Sequence, residues 1–572
     1  MSYFTLAVSA ATPAMCEVLA DLARIADPAV MPIPGPAAIA WRSPDGRAAL
    51  VHWGRHGPGD PGDPGDPADP GEPVTAASQA ETIWTGTPTP GSGRAAVYAR
   101  TSITRVDPVY VAEVDGAVIV ADRAIWAAWT AGRLGVHDPS HICAMLNPGF
   151  PLGTVTPFTG VSALPGSTTL HLLNGVLTRL PTPAGGTDTS PAISAPTARP
   201  GIQLRAPGGS GGAHEVAAAL VAAVEPLRKG GRPVELSLTG GKDSRLIAAA
   251  LVAADVPVVA RTHGFADHPD VVVAAEIARR LGIEHVVRMP AAPGQRVDVL
   301  GRIRATVLVA DGMLSAFENV GRPDPAASPA LTAGGHGGEL LRGGYAETSG
   351  RLAPAGGLRR ATAPARRAAR SAELLRRLTT RHLGLIRPGP AAGYAASLAP
   401  WAPRLARHPM HALDDFYLVN RAGRWSAAAR QAYLLRERLA QPLFDDRVVR
   451  AARGVPLASR VSGALAAAVL TELSPALAEV PLAGKPPADP ARSPFDWRRQ
   501  YGESVTTLLR GYILDLGLTG GLFDVVSQPA VEKLLTPPHA DRASVWALAT
   551  AACLVSGDYR RAREPTHQLP VT

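Results

Sequence analysis

The residues best suited to chemistry lie at residues 237–245, which read Ser-Leu-Thr-Gly-Gly-Lys-Asp-Ser-Arg. Gly240 and Gly241 let the backbone approach a ligand closely, and a helix that begins after them presents unpaired N–H groups and its positive dipole end. Asp243 offers an oxygen ligand for a Mg²⁺ ion that accompanies phosphates. Ser244 can cap the helix or donate to a phosphate oxygen. The stretch therefore predicts a phosphate-binding type of anion site.

The elements that must position this stretch are predicted on both sides of it. Apolar and polar residues alternate over residues 234–238, which predicts a short strand, and residues 245–251 predict a buried helix. Further strands are predicted at residues 256–262 and 285–288, with a helix at residues 271–281 between them. Alternating strands and helices imply a doubly wound parallel sheet that binds a nucleotide at the carboxyl ends of its strands.

The glycine stretch resembles the SGGxDS pyrophosphate loop of the asparagine synthetase family, with Thr239 in place of the first serine. That family cleaves ATP between its α and β phosphates and leaves AMP on a carboxylate. The segment from Arg261 to His285 follows the same family, whose second strand contributes adenine contacts. The resemblance implies ATP and Mg²⁺ as cofactors; the alternative is an ordinary strand-to-helix turn with a capping serine. The implied nucleotide-binding residues are Ser237, Thr239, Gly240, Gly241, Asp243, Ser244, Thr262 and Gly335.

A second glycine-rich stretch, residues 331–345, looks like the GxGxDE…GGY loop of that family. The family's aspartate is replaced by glycine and the spacing to Gly-Gly-Tyr is longer, so Glu339 is the carboxylate left to join Asp243 as a metal ligand. The alternative for Glu339 is a helix N-terminal carboxylate favoured by the dipole. His336 is predicted as a general base, with a surface residue as the alternative.

The family's catalytic lysine has no clear counterpart in this chain. Residues 441–449 are similar to its PFLDxxLV stretch, and the lysine should follow. Arg460 and Lys485 are the nearest basic residues. Because Lys485 alone has a glycine-rich setting, we assign the catalytic role to Lys485.

Residues 1–181 predict a strand-rich domain with hairpin turns at Asp115-Gly116 and Asn174-Gly175. Segments between residues 107 and 166 are similar to the glutaminase half of asparagine synthetases, an N-terminal-nucleophile αββα sandwich whose enzymes need a cysteine at position 2. This chain has Ser2 there. We expect a degenerate structural domain, the alternative being a serine nucleophile.

The predicted architecture is therefore α/β, with three parts. The degenerate sandwich at residues 1–181 is followed by a Pro- and Gly-rich linker at residues 182–212. Residues 213–572 form an ATP-pyrophosphatase-type domain with a doubly wound parallel sheet and helical additions.

Composition limits the classes of protein that remain. The chain has 572 residues, 46% of them hydrophobic and 18% charged, which describes a globular protein of two or more domains. Cys16, Cys143 and Cys553 are scattered without metal or disulfide spacing and fit a reducing cytosol. The apolar stretch at residues 545–555 is shorter than the about 20 residues that span a bilayer. We expect a cytoplasmic protein without a membrane span.

Positive charge is concentrated at residues 351–387, which hold ten arginines and a single acidic residue, Glu373. Such a segment suits nucleic acid or an acidic peptide, or is a solvated helical face. No aromatic residues interleave it for base stacking, which argues against nucleic acid.

The resemblance implies carboxylate adenylation followed by attack of an amine. Two relatives without the N-terminal cysteine close rings: β-lactam synthetases and the macrolactam cyclases of lasso-peptide biosynthesis. The basic segment and the wide glycine loop favour the cyclases, so the expected partners are a precursor peptide, a leader peptidase and a leader-binding protein. The alternatives are a small-molecule amide or β-lactam synthetase that uses an amine or free ammonia, and an inactive assembly partner.

Overall fold

The structure, a computed structural model, describes residues 3–24, 38–43, 45–54, 83–86, 96–181, 211–230, 232–289, 296–320, 331–350, 363–435, 438–484, 503–536, 541–562 and 569–570. The strands are β1 Tyr3–Ala10, β2 Ala38–Arg42, β3 Ala48–Gly54, β4 Ile83–Gly86, β5 Ala96–Arg100, β6 Tyr110–Val114, β7 Ala117–Ala121, β8 Val161–Ala163, β9 Thr168–Leu173, β10 Val176–Pro181, β11 Val234–Ser237, β12 Val258–His263, β13 Glu284–Arg288, β14 Arg296–Val297, β15 Leu331–Ala333, β16 Arg438–Ala440 and β17 Leu569–Pro570.

The first half of the helices runs α1 Pro13–Arg24, α2 Ala124–Thr130, α3 Pro139–Leu146, α4 Gly211–Val224, α5 Lys242–Ala253, α6 Pro269–Leu281, α7 Val299–Val309, α8 Tyr345–Gly350, α9 Ala363–Thr379, α10 Pro388–Leu398 and α11 Trp401–Arg407. The remainder are α12 Pro409–Phe416, α13 Ala427–Leu434, α14 Asp446–Gly454, α15 Leu457–Val461, α16 Ala464–Leu473, α17 Pro475–Ala478, α18 Glu503–Gly520, α19 Leu522–Val525, α20 Gln528–Leu534 and α21 Arg542–Ser556. A π-helical segment, Tyr417–Ser426, joins α12 to α13.

Two antiparallel sheets form the N-terminal part, with strand orders β2-β3-β1-β7-β6-β8 and β10-β9-β5-β4. Side chains alternate between the two faces of each strand, so neighbours in β1 enter different cores. Ala7 packs with Val97 of the second sheet. Leu6 instead packs with Trp126 of α2 on the opposite face. The strand-rich expectation for this half is confirmed.

The two predicted hairpin turns close these sheets. Asp115 and Gly116 join β6 to β7 with φ of 41° and 82°, and Asn174 and Gly175 join β9 to β10 with φ of 53° and 76°. Positive φ at both central residues is the geometry that matches the twist of a two-residue hairpin, and Asn, Asp and Gly accept it at low cost.

The C-terminal part is built on a parallel sheet with strand order β13-β12-β11-β15-β16. Every strand pair in it is parallel, so the carboxyl ends of the strands meet at one edge. Its core packs the strand residues Val234 and Leu236 against Ile247 of α5 and Leu220 of α4. The mixed α/β class, with antiparallel sheets first and a parallel sheet after them, is confirmed.

The two parts share one apolar core, which includes Ile119 of β7, Val307 of α7 and Trp546 of α21. A buried ion pair also joins them: the Arg123 Nε donates to Asp311 Oδ1 at 2.8 Å, and both side chains are almost fully buried. The predicted linker at residues 182–212 lies outside the described residues up to position 210, and α4 begins at Gly211.

The sequence analysis also made predictions about the cysteines and about membrane spans. Cys16, Cys143 and Cys553 are free and buried. No helix in the described ranges is long and apolar enough to cross a bilayer.

Candidate functional site

The first glycine loop connects β11 to α5 at the carboxyl edge of the parallel sheet. Helix α5 begins at Lys242, with Gly241 before it and no side chain capping it. The Ser244 hydroxyl donates to the Thr239 carbonyl at 3.1 Å and accepts from the Thr239 N–H at 3.1 Å. The prediction that Ser244 caps the helix is therefore wrong. Because α5 starts earlier than expected, Ser244 lies within its first turn and faces back to hold the loop closed.

Two backbone N–H groups of this loop already have partners. The Gly240 N–H donates to Asp270 Oδ1 at 2.9 Å, and the Gly241 N–H donates to the Thr239 hydroxyl at 3.2 Å. Asp270 lies in the first turn of α6 and is half-exposed. An anionic ligand at the Gly240 N–H must therefore displace this carboxylate.

Arg245 connects residues 480–481 to the same loop by hydrogen bonds. Its guanidinium donates to the carbonyls of Gly240 and Gly241 at 3.0 Å each, and to those of Val480 and Pro481 at 2.7 and 3.1 Å. Residues 480–484 consequently run alongside the glycine turn. Lys485, the predicted catalytic lysine, comes next in the chain but lies outside the described residues.

The second glycine loop follows β15 and packs directly on the first. A Cβ placed on Gly338 would overlap the Asp243 carboxylate, and one on Gly335 would lie 2.6 Å from the Ser244 N. Glycine is needed at residue 338 because no other side chain leaves room for Asp243. The predicted residues of both loops, which are distant in sequence, therefore meet at one place.

Arg342 supplies the positive charge at this junction. Its guanidinium forms an ion pair with Asp243 and a second one with Glu347, at 3.2 Å from Nε to Oε2. Burial raises the pKa of Asp243, although Arg342 opposes the shift. Burial alone would lower the pKa of Arg342, but the carboxylates of Asp243, Glu339 and Glu347 together raise it. Arg342 thus stays charged among three acidic groups.

Glu339 lies in a short 3₁₀ turn, Gly338–Arg342, and hydrogen-bonds to the Tyr417 side chain. Burial and then the charge of Glu339 raise the pKa of Tyr417 well above 10.0. Tyr417 also packs edge-on against the ring of Tyr345, with ring centroids 5.2 Å apart.

Asp243 and Glu339 are the carboxylates that could hold Mg²⁺ at this junction. Among the described residues no group of three or more His, Cys, Asp and Glu side chains is arranged to hold a metal ion. Mg²⁺ bound with a nucleotide needs one or two protein carboxylates, with phosphate and water oxygens completing the shell. Asp243 and Glu339 fit that requirement in chemistry, provided that Arg342 releases Asp243.

His336 lies between the loops and a small pocket. Its ring lines a cavity of about 60 Å³, together with Glu318, Trp425, Tyr433 and Gln441 among others. Burial lowers the pKa of His336 below 6.5, while the nearby charges of Glu339 and Asp243 oppose the shift. The imidazole is therefore neutral at physiological pH and able to accept a proton.

The two remaining predicted residues lie on neighbouring strands. Ser237 is exposed at the end of β11. Thr262 on β12 is buried, and its hydroxyl donates to the Leu238 carbonyl at 2.8 Å and contacts His285 Nε2 at 2.8 Å. Thr262 thus shapes the backbone that precedes the loop.

Three residues at the site were not predicted: Arg342, Tyr417 and Asp270. Arg342 stands inside the second glycine stretch, and a lone basic residue before Gly-Gly-Tyr was the signal available for it. Asp270 follows a proline at the start of a helix, which suggests an N-terminal carboxylate and nothing more. Tyr417 had no sequence signal, because a π-helical turn brings it to Glu339.

Residues 215–323 match the family model described as Asparagine synthase. The match includes β11, the first glycine loop, α5, β12, α6 and β13, and it ends before the second glycine loop. A comparison with curated proteins gives no match. Residues 215–323 therefore form an asparagine synthase-like segment, and this match supports ATP-dependent amide-bond formation as the general activity.

Proposed function

We propose that this protein activates a carboxylate with ATP, releases pyrophosphate, and joins the resulting acyl adenylate to an amine. The observation that carries the proposal is the packing of the first glycine loop on the second, which brings Asp243 against Gly338 within hydrogen-bonding reach of Arg342. Charge grows on the departing pyrophosphate during adenylation, and cationic groups placed there stabilise it.

Each residue has a distinct part in this proposal. Thr239, Ser244 and Arg245 hold the first loop in shape, and Arg342 offers a bidentate donor for phosphate oxygens. Asp243 and Glu339 would hold Mg²⁺, which supplies charge neutralisation at the phosphates when it is bound. His336, which burial keeps neutral, accepts the proton that the amine loses on forming the amide.

The finer proposal is ring closure in a precursor peptide, in which the N-terminal amine attacks an activated Asp or Glu side chain. Its support is the basic helix α9. Arg367 on this helix is exposed, and α9 packs on α8, which begins directly after the second glycine loop. A positive surface linked to the site suits an acidic peptide more than a small amino acid.

The general proposal is tested by the nucleotide product. With a panel of carboxylates, the full chain should form AMP and pyrophosphate, and Asp243→Asn should abolish pyrophosphate release. The free energy of unfolding of this variant should stay close to the native value, because Arg342 keeps Glu347 as an ion-pair partner. Formation of ADP and phosphate would contradict the proposal.

The finer proposal is tested with synthetic peptides that carry a free N-terminal amine and one Asp or Glu at successive positions. Ring closure should appear as the ATP-dependent loss of one water from the peptide mass. Turnover of small amines with no cyclised peptide would favour a small-molecule synthetase. No nucleotide turnover with any substrate would favour an inactive assembly partner.

A further inference from the structure

The pocket beside His336 has walls from four separate parts of the fold. Glu318 comes from a 3₁₀ turn, Ala316–Glu318, that follows α7; Trp425 comes from the π-helical segment, Tyr433 from α13, and Gln441 from the position directly after β16. The cavity measures about 60 Å³, which is room for the end of a ligand rather than for a whole nucleotide.

The charge of the pocket is negative. Glu318 supplies the carboxyl group among the described residues that line the pocket, and none of these lining residues is a lysine or an arginine. Within the described residues its carboxylate has no ion-pair partner. A carboxylate ligand would be repelled here, whereas an ammonium group would be attracted.

Two buried polar atoms in the walls lack hydrogen-bond partners in the described part of the chain. One is Oε1 of Gln441, a residue that is 8% exposed, and the other is Nε1 of Trp425. The Arg421 guanidinium lies 3.5 Å from the Trp425 ring centroid, so that face of the indole is covered. A ligand therefore meets the indole through its N–H edge. The pocket is missing a donor for Gln441 and an acceptor for Trp425, and unpaired buried groups of this kind are unfavourable.

We infer that this pocket binds a primary amine with a carbonyl group next to it. The ammonium group donates to Glu318 and to Gln441 Oε1, and the carbonyl oxygen accepts from the Trp425 indole N–H. The amino end of an amino acid and the amino end of a peptide share this chemistry. The inference rests on the proposed function in that the bound amine is the nucleophile of the amide step.

The location suits that role. His336 lines the pocket, and its neighbour Gly335 packs against the backbone of Asp243 and Ser244 in the first glycine loop. An amine bound to Glu318 would therefore lie beside the His336 imidazole, close to the loop at which we propose that the adenylate forms. The ammonium group loses one proton to solvent, which frees the amine lone pair. His336 then accepts the second proton as the new C–N bond forms and the bond from the acyl carbon to AMP breaks.

The experiment is calorimetric titration of the full-length protein without ATP, using glycinamide as the probe. Glycinamide should bind, and N-acetylglycinamide and acetate should not. Glu318→Gln keeps the size of the side chain and should weaken glycinamide binding about tenfold, as should Gln441→Leu. The matched control Glu503→Gln changes an exposed carboxylate at the start of α18 and should leave binding unchanged.

Equal binding of glycinamide and N-acetylglycinamide, absence of glycinamide binding, or unchanged affinity in Glu318→Gln would overturn the inference. Glycine and triglycine distinguish the two sources of the amine: tighter triglycine binding indicates a peptide end, and equal binding indicates an amino acid. Carboxylate-dependent pyrophosphate release is measured separately. If it is absent while glycinamide binds through Glu318, the proposed function fails and the amine site stands.

Discussion

Arg342 places a guanidinium group among the carboxylates of Asp243, Glu339 and Glu347, where a nucleotide-bound metal ion would also be placed. Its side chain is 11% exposed, so this contact is shielded from solvent and is not a surface ion pair. A metal ion and the Arg342 guanidinium would repel each other if both were bound to Asp243 at close range. In the proposed function, Arg342 would therefore compete with the metal ion for Asp243 before the nucleotide binds, and would donate to a phosphate oxygen after it leaves Asp243.

The first prediction concerns this competition. Arg342→Gln should lower the Mg²⁺ concentration that half-activates pyrophosphate release by about fivefold, because Asp243 is then free for the metal, and should slow the maximal rate because a phosphate donor is lost. Arg342→Lys, which keeps the charge, should stay close to the native Mg²⁺ requirement. Initial rates over a Mg²⁺ titration measure both effects.

A suitable control is Arg279→Gln, which removes an exposed arginine paired with Glu276 on α6. It should leave the Mg²⁺ curve unchanged. A native Mg²⁺ requirement in Arg342→Gln would show that Arg342 does not compete with the metal.

At the scale of elements, the site depends on two loops whose close packing needs glycine at particular positions. Gly338 lies against the Asp243 carboxylate, and Gly240 lies against Ala483, which donates its N–H to the Gly240 carbonyl at 3.1 Å. The strand-loop-helix units supply the backbone of the site. Because these glycines have no Cβ, the two loops can pack closely against each other and against residues 480–484.

The second prediction is that Gly338→Ala pushes Asp243 out of place. Pyrophosphate release should fall about a hundredfold, since a displacement near 1 Å at a catalytic group has about that effect. The free energy of unfolding should fall by about 1–3 kcal/mol, as in other overpacked sites. Steady-state kinetics measures the rate of pyrophosphate release, and urea denaturation measures the free energy of unfolding.

The matched control is Gly454→Ala at the end of α14, where an added Cβ has no neighbour within 4 Å among the described residues. This variant should keep native activity and stability. If Gly338→Ala behaves like Gly454→Ala, the packing of the two loops is not needed for the reaction.

The third prediction concerns helix α9. Arg376 and Arg377 are exposed but share Glu373 as an ion-pair partner. Arg370 lies about one turn before Glu373 and is partly buried, whereas Arg367 lies about two turns before Glu373 and is exposed. Changing Arg367 and Arg370 to Gln should raise KM for an acidic peptide about threefold and flatten its salt dependence, while ATP binding stays native. Arg359 and Arg360, which also belong to the basic segment at residues 351–387, lie outside the described residues.

Changing Arg376 and Arg377 to Gln is the control, because it removes the same formal charge from positions that Glu373 already neutralises in part. This pair should have a smaller effect on KM. Equal KM values for the native protein and the Arg367/Arg370 variant at low salt would remove α9 from the substrate site and favour a small-molecule substrate.

Local sequence patterns were enough to predict the strands and helices. They were not enough to predict the contacts between residues that are distant in sequence. The strand at residues 234–237 and the end of α6 at Gly282, with φ of 66°, follow from alternation and from glycine chemistry within a few residues. The partner of Asp243 could not be predicted, since pairing with Arg342 depends on how two loops pack. The hydrogen bond from Tyr417 to Glu339 also arises between elements distant in sequence, through a π-helical turn.

For the whole molecule, the N-terminal sheets and the parallel-sheet part behave as one packed unit. Beyond the shared apolar core, Asp446 at the start of α14 accepts from the Ile103 N–H at 2.8 Å, and the Arg430 Nε donates to Asp107 at 2.7 Å. These partly buried polar contacts hold the two parts against each other. The N-terminal part therefore positions α13 and α14, and with them the pocket wall, whatever its own chemistry.

Two histidines, His137 and His141, lie in the N-terminal part near the joint, which is the contact between that part and the parallel-sheet part. They make the stability of the protein depend on pH. His141 of α3 is fully buried, with its Nε2 2.9 Å from the Gly312 carbonyl. Burial lowers its pKa to about 3, although that hydrogen bond opposes the shift. Burial also lowers the pKa of His137 to about 4. Both side chains are thus neutral in the folded protein at pH 5.

The last prediction follows from the sign of these shifts. The unfolded chain binds a proton at each histidine as pH falls below 6.5, whereas the folded protein does so only near pH 3 to 4, so stability is full above pH 6.5 and is lost as pH falls through that interval. At pH 5 each histidine should cost about 2 kcal/mol, from about 1.4 kcal/mol per pKa unit. His141→Gln should reduce the stability change between pH 7.5 and pH 5 by about 2 kcal/mol, measured by urea denaturation at both pH values with each variant referred to its own stability at pH 7.5. If His141→Gln retains the native pH dependence, the joint between the two parts does not sense acid through this residue.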